Sequence, residues 1–374
     1  MPTALKVLEL RWRQALRSAG RRPFAGRLTL RAEDLLQLSA TPRILLVRME
    51  RIGDVLVSVP VLRALRARYP GARIDLLVSR PNLAVRDAVI PFVNQVWCYD
   101  KTLGSALRLL RALRGVHYDV VVDLVDNPSA TAQLVIRWCH APAAVGLLHS
   151  EAGLYTHAAP LLDRGSVHPV ERLAQLLLPF GIDPASESLE LAYPLSPADI
   201  ELARQTLVPT WRPLRLGVNV SGREANKRWG SANYISVVRH MMRTDPRFAI
   251  SVCGSPDDVP RVLQVALATG AEAVPPQASL QQFAAVVHEF DLLLTPDTAV
   301  VHMAAAWKIP TVALYHSDPA VALWLPYHTP HRAVADPRGI AAISADRVIA
   351  ALEDLISERF AAVPYPAHHS ETNR

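Results

Sequence analysis

Two loop-to-helix junctions carry the residues best suited to chemistry. The first is Arg48-Met49-Glu50-Arg51-Ile52-Gly53-Asp54, directly after the apolar run Ile44-Leu45-Leu46-Val47. Gly53 permits a tight turn or the close approach of a substrate, and Arg48 and Arg51 set positive charge beside it. Asp54 stands at the mouth of a helix. Its type leaves two uses open, a helix cap or a functional carboxylate at the strand tip. The second junction is Thr295-Pro296-Asp297-Thr298-Ala299-Val300-Val301-His302. Small and hydroxyl residues opening a helix offer free N–H groups and the positive end of the helix dipole, which suit a phosphate. Thr298 adds a hydroxyl. Asp297 is an unusual neighbour for a phosphate and points to another use, such as holding the loop or contacting a sugar. The same residues also fit an ordinary cap with His302 packed on the first turn. A third stretch, Ser221-Gly222-Arg223-Glu224-Ala225-Asn226-Lys227-Arg228-Trp229, offers Lys227 as a point charge for a leaving diphosphate. Read blandly, it is a solvated loop anchored by Trp229. Asp257 and Asp258 follow the strand end at Cys253-Gly254-Ser255. They suit the hydroxyls of a ribose, or equally a surface turn.

These residues need strands and helices to hold them. Pro42 precedes a continuous apolar run typical of a buried parallel strand. Helical periodicity then spans residues 55–68 and stops at Tyr69-Pro70-Gly71. Residues 73–78 and 118–124 read as further strands. A polar helix opens after Tyr193-Pro194 and closes between Pro209 and Pro213. The alternation then restarts: strand 214–220, helix 234–242, strand 248–253, strand 291–294, helix 297–307, strand 311–315 and a last helix at 344–359. This order predicts an α/β chain of two doubly wound, Rossmann-like domains. Their expected bounds are 42–192 and 214–360, with an arm at 1–41, a linker at 193–213 and a tail at 361–374. Ligands of such sheets bind beyond the carboxyl ends of the strands. All three stretches fall there, so both domains are expected to face a central cleft.

The chain has 374 residues, 50% hydrophobic and 20% charged, with a net charge of +6. That length favours two domains, and the composition is globular. No apolar run approaches the ~18–20 residues of a membrane span, and Arg11, Arg13 and Arg17 interrupt any secretory signal core. Lys6, Arg11, Arg13, Arg17, Arg21, Arg22, Arg27 and Arg31 face a single acid, Glu9, within residues 1–31. The positive excess therefore belongs to the arm, the body is close to neutral, and no nucleic-acid partner is expected. Leu5, Leu8, Trp12 and Leu16 recur at helical steps there, a basic amphipathic pattern that suits an anionic membrane surface or packing on the body. Cys98, Cys139 and Cys253 lie far apart, which fits a reducing cytoplasm. His140, His149, His157 and His168 lack a ligand spacing, so no metal site is expected. The Gly-x-Gly-x-x-Gly fingerprint is missing, which disfavours a nicotinamide-dependent oxidoreductase.

Together, an acid in one domain and phosphate-binding character in the other suit transfer of a group from a nucleotide donor to an acceptor. At this point the sequence resembles a known family. Ile44-Leu45-Leu46-Val47-Arg48, Ile52-Gly53-Asp54-Val55-Leu56, Pro60-Val61-Leu62-Arg63-Ala64-Leu65, Tyr69-Pro70 and Ile74-Asp75-Leu76-Leu77-Val78 look like the N-terminal half of glycosyltransferase family 9, the lipopolysaccharide heptosyltransferases. Lys227-Arg228-Trp229 resembles that family's Lys-x-Trp element. Asp297-Thr298, His302-Met303-Ala304-Ala305-Ala306, Pro310-Thr311-Val312-Ala313-Leu314-Tyr315 and Asp318-Pro319 resemble its C-terminal motif.

The resemblance implies a GT-B fold and an inverting, metal-independent transfer from a nucleotide-activated sugar, typically ADP-heptose. The acceptor it implies is a glycan or lipid-linked hydroxyl of the lipopolysaccharide core, at the inner face of the cytoplasmic membrane. It implies Asp54 as general base and Lys227 as the group that neutralises the leaving diphosphate. Asp297, Thr298 and His302 would line the donor site, with Ser221, Arg228, Asp257 and Ala299 nearby, and Arg48, Arg51 and Gly53 on the acceptor side. No cofactor is implied beyond the nucleotide-sugar substrate. Alternatives are a member using another nucleotide-sugar or a protein, capsule or small-metabolite acceptor, and a sugar-nucleotide-binding protein without turnover. Retention of Asp54 and Lys227 speaks against the last. Two features depart from the family: Ala299 replaces its usual glycine, so the loop either strains into positive φ or does not need it, and the basic arm extends the N-terminus.

Overall fold

The computed structural model describes residues 30–31, 35–100, 102–126, 129–148, 154–222, 227–317 and 324–364. The expected arm helix, residues 223–226 of the Lys227 loop, His149 and Asp318-Pro319 lie outside the described residues. The chain divides into two compact units, Met1–Leu189 and Glu190–Arg374.

The first unit is built on seven strands: β1 (Leu30–Arg31), β2 (Arg43–Val47), β3 (Arg73–Ser79), β4 (Gln95–Tyr99), β5 (Val120–Asp123), β6 (Ala143–Leu147) and β7 (His157–Ala159). They pair in the order β1-β7-β6-β5-β2-β3-β4, parallel throughout. The apolar run predicted as a buried strand is central, and Ile44 to Val47 are fully buried. Helices α1 (Ile52–Leu56), α2 (Val59–Arg68), α3 (Leu103–Val116) and α4 (Ala130–Cys139) lie between them in sequence, and α5 (Pro169–Ala174) follows β7. Leu109 and Leu113 of α3 and Val135 and Ile136 of α4 pack on Leu45 and Val121. Full burial of such side chains is worth roughly 1.5–3 kcal/mol each.

The helix expected over 55–68 is two helices. Pro60 cannot donate to the carbonyl of residue 56, and its ring crowds that carbonyl. The chain therefore turns at Val57-Ser58 and restarts with Pro60 in the first turn of α2, where the missing N–H costs nothing. The Ser58 hydroxyl donates to the Asp54 carbonyl at 2.8 Å. Two histidines of this unit serve helix ends: His168 caps α5, accepting the Val170 N–H, and His140 closes α4 in the left-handed region.

The second unit holds α6 (Pro197–Thr206), β8 (Leu214–Asn219), α7 (Ser231–Thr244), β9 (Phe248–Cys253), α8 (Val259–Thr269), β10 (Glu272–Ala273), α9 (Leu280–His288), β11 (Leu292–Pro296), α10 (Ala299–Ala306), β12 (Thr311–Tyr315), β13 (His331–Ala335) and α11 (Ala345–Phe360). Its parallel sheet runs β10-β9-β8-β11-β12-β13. The segment at 193–213 joins the core of this unit: Ala203 of α6 and Leu207 pack with Ala285, Val286 and Phe290. On the other face, Val237 and Val238 of α7 and Leu352 and Leu355 of α11 cover Leu216 and Val218. Among the described residues no helix is long and apolar enough to cross a membrane.

Candidate active site

In the first unit the candidate residues gather beyond the carboxyl end of β2. Asp54 is not the residue that caps α1. Arg51 occupies that position in extended conformation, and Asp54 is the third helical residue. Its Oδ2 accepts the Arg51 N–H at 2.8 Å, which returns a negative charge to the helix N-terminus. Gly53 lies within α1 and is not among the glycines with positive φ. Arg48 is 3% exposed. It donates through Nε to the Asp54 carbonyl at 3.0 Å, through Nη2 to Asp54 Oδ1 at 3.4 Å, and through Nη1 to the Leu124 carbonyl. Glu50 Oε2 lies 3.9 Å from the same guanidinium. Asp54 keeps 13% of its side chain exposed, so the fixed carboxylate still meets solvent.

Asp123 is a neighbour that sequence reasoning passed over. It closes β5 and stands opposite Val47 in the sheet register. Its buried carboxylate accepts the Tyr155 hydroxyl at 2.8 Å and the Val125 N–H at 3.2 Å. Tyr155 fits because β6 has a glycine beneath it: a Cβ on Gly146 would lie 2.2 Å from the Tyr155 ring. The signal in the sequence was a single acid ending the run Val-Val-Val. Burial pushes Asp123 up to about 7, the Glu50 charge adds to this, and the Tyr155 bond, Val125 N–H and Arg48 charge oppose it. Between about pH 4 and 7 the folded protein holds this proton more tightly than the unfolded chain. The stabilisation is therefore full below pH 4 and is lost as pH rises to 7. Asp123→Asn is expected to flatten that decline, which amounts to roughly 4 kcal/mol at most. Thermal unfolding of wild type and variant from pH 4 to 8 checks it, and parallel profiles would sink it.

In the second unit the tips of β8 and β11 converge. Asp297 follows β11, and its N–H donates to the Leu314 carbonyl at 2.8 Å. The Lys227 ammonium donates to Asp297 Oδ2 at 2.6 Å and to the Asp297 carbonyl at 3.0 Å. Their side chains are 14% and 12% exposed. Two of three lysine donors are thus engaged by one residue, and Asp297 finds its use as the counter-ion of Lys227. The lysine loop is tightly threaded: a Cβ on Gly222 would lie 2.5 Å from the Lys227 carbonyl oxygen, and Arg228 Nε donates to the Gly222 carbonyl at 2.9 Å. Trp229 anchors the loop from below. It is 2% exposed, stacks edge-on against Tyr234 at 4.8 Å, and its Nε1 donates to the Ile343 carbonyl at 2.8 Å.

Thr298 begins α10 as its N-cap, with no side-chain capping bond. Ala299 is the first helical residue and is absent from the non-glycine residues with positive φ. The substitution of the family glycine therefore brings no left-handed strain. Asn219, also passed over in the sequence, ties the site together. Its Nδ2 donates to Thr295 Oγ1 at 2.9 Å and Thr298 Oγ1 at 3.4 Å, and its Oδ1 accepts the Ser221 N–H at 3.1 Å. Ser221 Oγ accepts the Ser255 N–H at 2.7 Å. His302 is buried, and its Nδ1 has no hydrogen-bond partner among the described residues. Burial first, and the Lys227 charge second, pull it down to about 4, so the imidazole is neutral at physiological pH. Of the two acids after β9, Asp258 is buried and bonded to Ser255 and Arg261, whereas Asp257 is exposed.

The arrangement thus offers a fixed, part-exposed carboxylate in one unit. In the other it offers a cation with its counter-ion beside the N-terminus of a helix. No group of three His, Cys, Asp or Glu side chains with metal-binding geometry occurs among the described residues.

Comparisons with known proteins agree with this picture. The model of the family described as glycosyltransferase family 9 (heptosyltransferase) matches residues 106–338. Lipopolysaccharide heptosyltransferase 3 of Escherichia coli strain K12 is 24% identical over 338 residues, covering 82% of this chain and 96% of that protein. Among solved structures, the glycosyl transferase family 9 protein of Veillonella parvula DSM 2008 superposes with a TM-score of 0.70 at 22% identity, covering 86% of this chain and all of that one. The Escherichia coli ADP-heptose lps heptosyltransferase II gives 0.67 at 22% identity, covering 84% and 99%. These likenesses establish the GT-B fold. With the family match spanning more than half its length, this chain belongs to glycosyltransferase family 9, the heptosyltransferases, and is a glycosyltransferase.

Proposed function

We propose that this enzyme transfers heptose from ADP-heptose, with inversion, to a hydroxyl of a lipopolysaccharide-core acceptor. The observation that carries the donor half is Lys227, held beside the N-terminus of α10. A leaving diphosphate gathers negative charge as the glycosidic bond breaks, and a fixed cation with helix N–H groups stabilises it there. Asn219 fixes Thr298 for the same anion. On the acceptor side, Asp54 takes the proton of the attacking hydroxyl, the base that a displacement with inversion needs. A carboxylate is a weak base, and it suffices when the proton moves late, after the anomeric carbon has become oxocarbenium-like. The positive charge at the leaving group comes from Lys227 and the helix, so turnover should persist in EDTA.

The names of the relatives, lipopolysaccharide heptosyltransferase 3 and ADP-heptose lps heptosyltransferase II, support the choice of sugar and acceptor. Incubation with ADP-heptose and a heptose-acceptor core lipid should release ADP and yield the inverted anomer. Folded protein that turns over only with GDP-, UDP- or dTDP-sugars would overturn the donor, and turnover only on a protein or small-molecule hydroxyl would overturn the acceptor. The basic residues within 1–31 are the part of the sequence suited to an anionic membrane surface. Deleting them should abolish flotation with anionic liposomes and spare activity on a soluble acceptor. Undiminished flotation would dismiss that role.

A further inference from the structure

We infer that Arg48 is the positioning residue of the base: it orients the Asp54 carboxylate and does not itself touch the acceptor. This rests on the reading of Asp54 as general base. The guanidinium is buried, 3% exposed, where a sugar hydroxyl has little access. Its side-chain hydrogen bonds run to Asp54 and Leu124. Nε takes the Asp54 carbonyl at 3.0 Å, Nη2 takes Asp54 Oδ1 at 3.4 Å, and Nη1 takes the carbonyl of Leu124, the residue that follows β5. One side chain thus grips both the main chain and the carboxylate of Asp54 and ties them to the tip of the neighbouring strand.

The geometry restricts the carboxylate from two sides. Oδ1 meets Arg48, and Oδ2 meets the Arg51 N–H at 2.8 Å. Rotation of the carboxylate breaks one bond or both. Each oxygen still has a lone pair for a substrate hydroxyl. The α1 helix is only five residues long and ends at the break before Pro60, and its own hold on the carboxylate is the Arg51 N–H. Arginine is the residue type that can do this. Its planar fork serves three acceptors in fixed directions, whereas a lysine ammonium has one centre on a flexible stem. Two other carboxylates face the same region, Glu50 at 3.9 Å from Nη1 and buried Asp123 at the end of β5. Arg48 therefore also sets positive charge beside these acids.

The test uses the full chain, with donor and acceptor each varied while the other is saturating. Arg48→Ala should lower kcat by roughly 10–100-fold, the scale on which misplacement of a reacting group acts, with KM for both substrates unchanged. Guanidinium ion added at non-denaturing concentration should restore part of the turnover, and Arg48→Lys should retain an intermediate kcat. The deciding comparison is the pair Asp54→Asn and Arg48→Ala/Asp54→Asn. A residue that works only through the base adds no further loss once the base is gone. An acceptor KM that rises while kcat holds would show that Arg48 binds the acceptor, and multiplicative losses in the double variant would show independent action. Either result overturns the proposal while Asp54 keeps its role. A wild-type kcat in Asp54→Asn alone would instead remove the base reading itself. If Arg48→Ala does not fold, Arg48→Lys carries the same cycle with the same two outcomes.

Discussion

Asp54→Asn should lower kcat by roughly 10²–10⁴-fold, the usual contribution of a positioned general base, while donor affinity stays near that of the wild type. The amide keeps one oxygen, which can still accept the Arg51 N–H. It loses the second, so Arg48 Nη2 faces an NH₂ group in place of Oδ1. That mismatch costs about 1–3 kcal/mol of stability and should appear as a lower unfolding temperature. Single-turnover kinetics with ADP-heptose, together with calorimetric donor binding, separate the two effects. A variant that binds donor normally and turns over within threefold of wild type would remove Asp54 from the chemistry.

The second large effect belongs to Lys227. Lys227→Met should reduce kcat/KM by roughly 10²–10³-fold, as removal of one pre-oriented charge stabiliser does. The same variant strands Asp297, whose carboxylate is mostly buried and has Lys227 as its cation. An uncompensated charge there destabilises by up to about 3–5 kcal/mol, so lost activity alone is ambiguous. The double variant Lys227→Met/Asp297→Asn resolves this. It removes both charges and is expected to recover most of the unfolding temperature while turnover stays low. Recovery of turnover in the double variant would mean that the pair merely holds the loop.

Much of the framework was legible because it rests on local patterns. The continuous apolar run at β2 is typical of a buried parallel strand, and the structure places β9 and β12 at the bounds read from the sequence. The three chemical stretches fall at strand tips as expected. What escaped depended on pairing between distant segments. Asn219 matters because β8 lies beside β11 and brings Thr295 within 2.9 Å. Asp123 matters because Gly146 admits the Tyr155 ring. Neither partner can be read from neighbours in sequence. Asp54 shows a finer limit. Its helix was visible, but the capping convention suggested position N-cap, and the fold starts the helix three residues earlier. A carboxylate at that third position serves the helix end and remains part-exposed. Ala299 was read as a possible source of strain, and the structure removes it by giving the residue ordinary helical backbone.

The peg formed by Trp229 reaches further than the loop it anchors. Its indole is bonded to the carbonyl of Ile343, in the turn that leads into α11. The far end of that helix is clasped in turn, with Phe360 packed edge-on against Phe248 at 5.6 Å and its carbonyl held by Arg247. Only Arg228 separates Trp229 from Lys227, too little chain to absorb a shift of the indole. Helix α11 is thus mechanically in series with the cation proposed to meet the diphosphate. Damage near residue 360, remote from Lys227 in sequence, would be felt as a displaced charge.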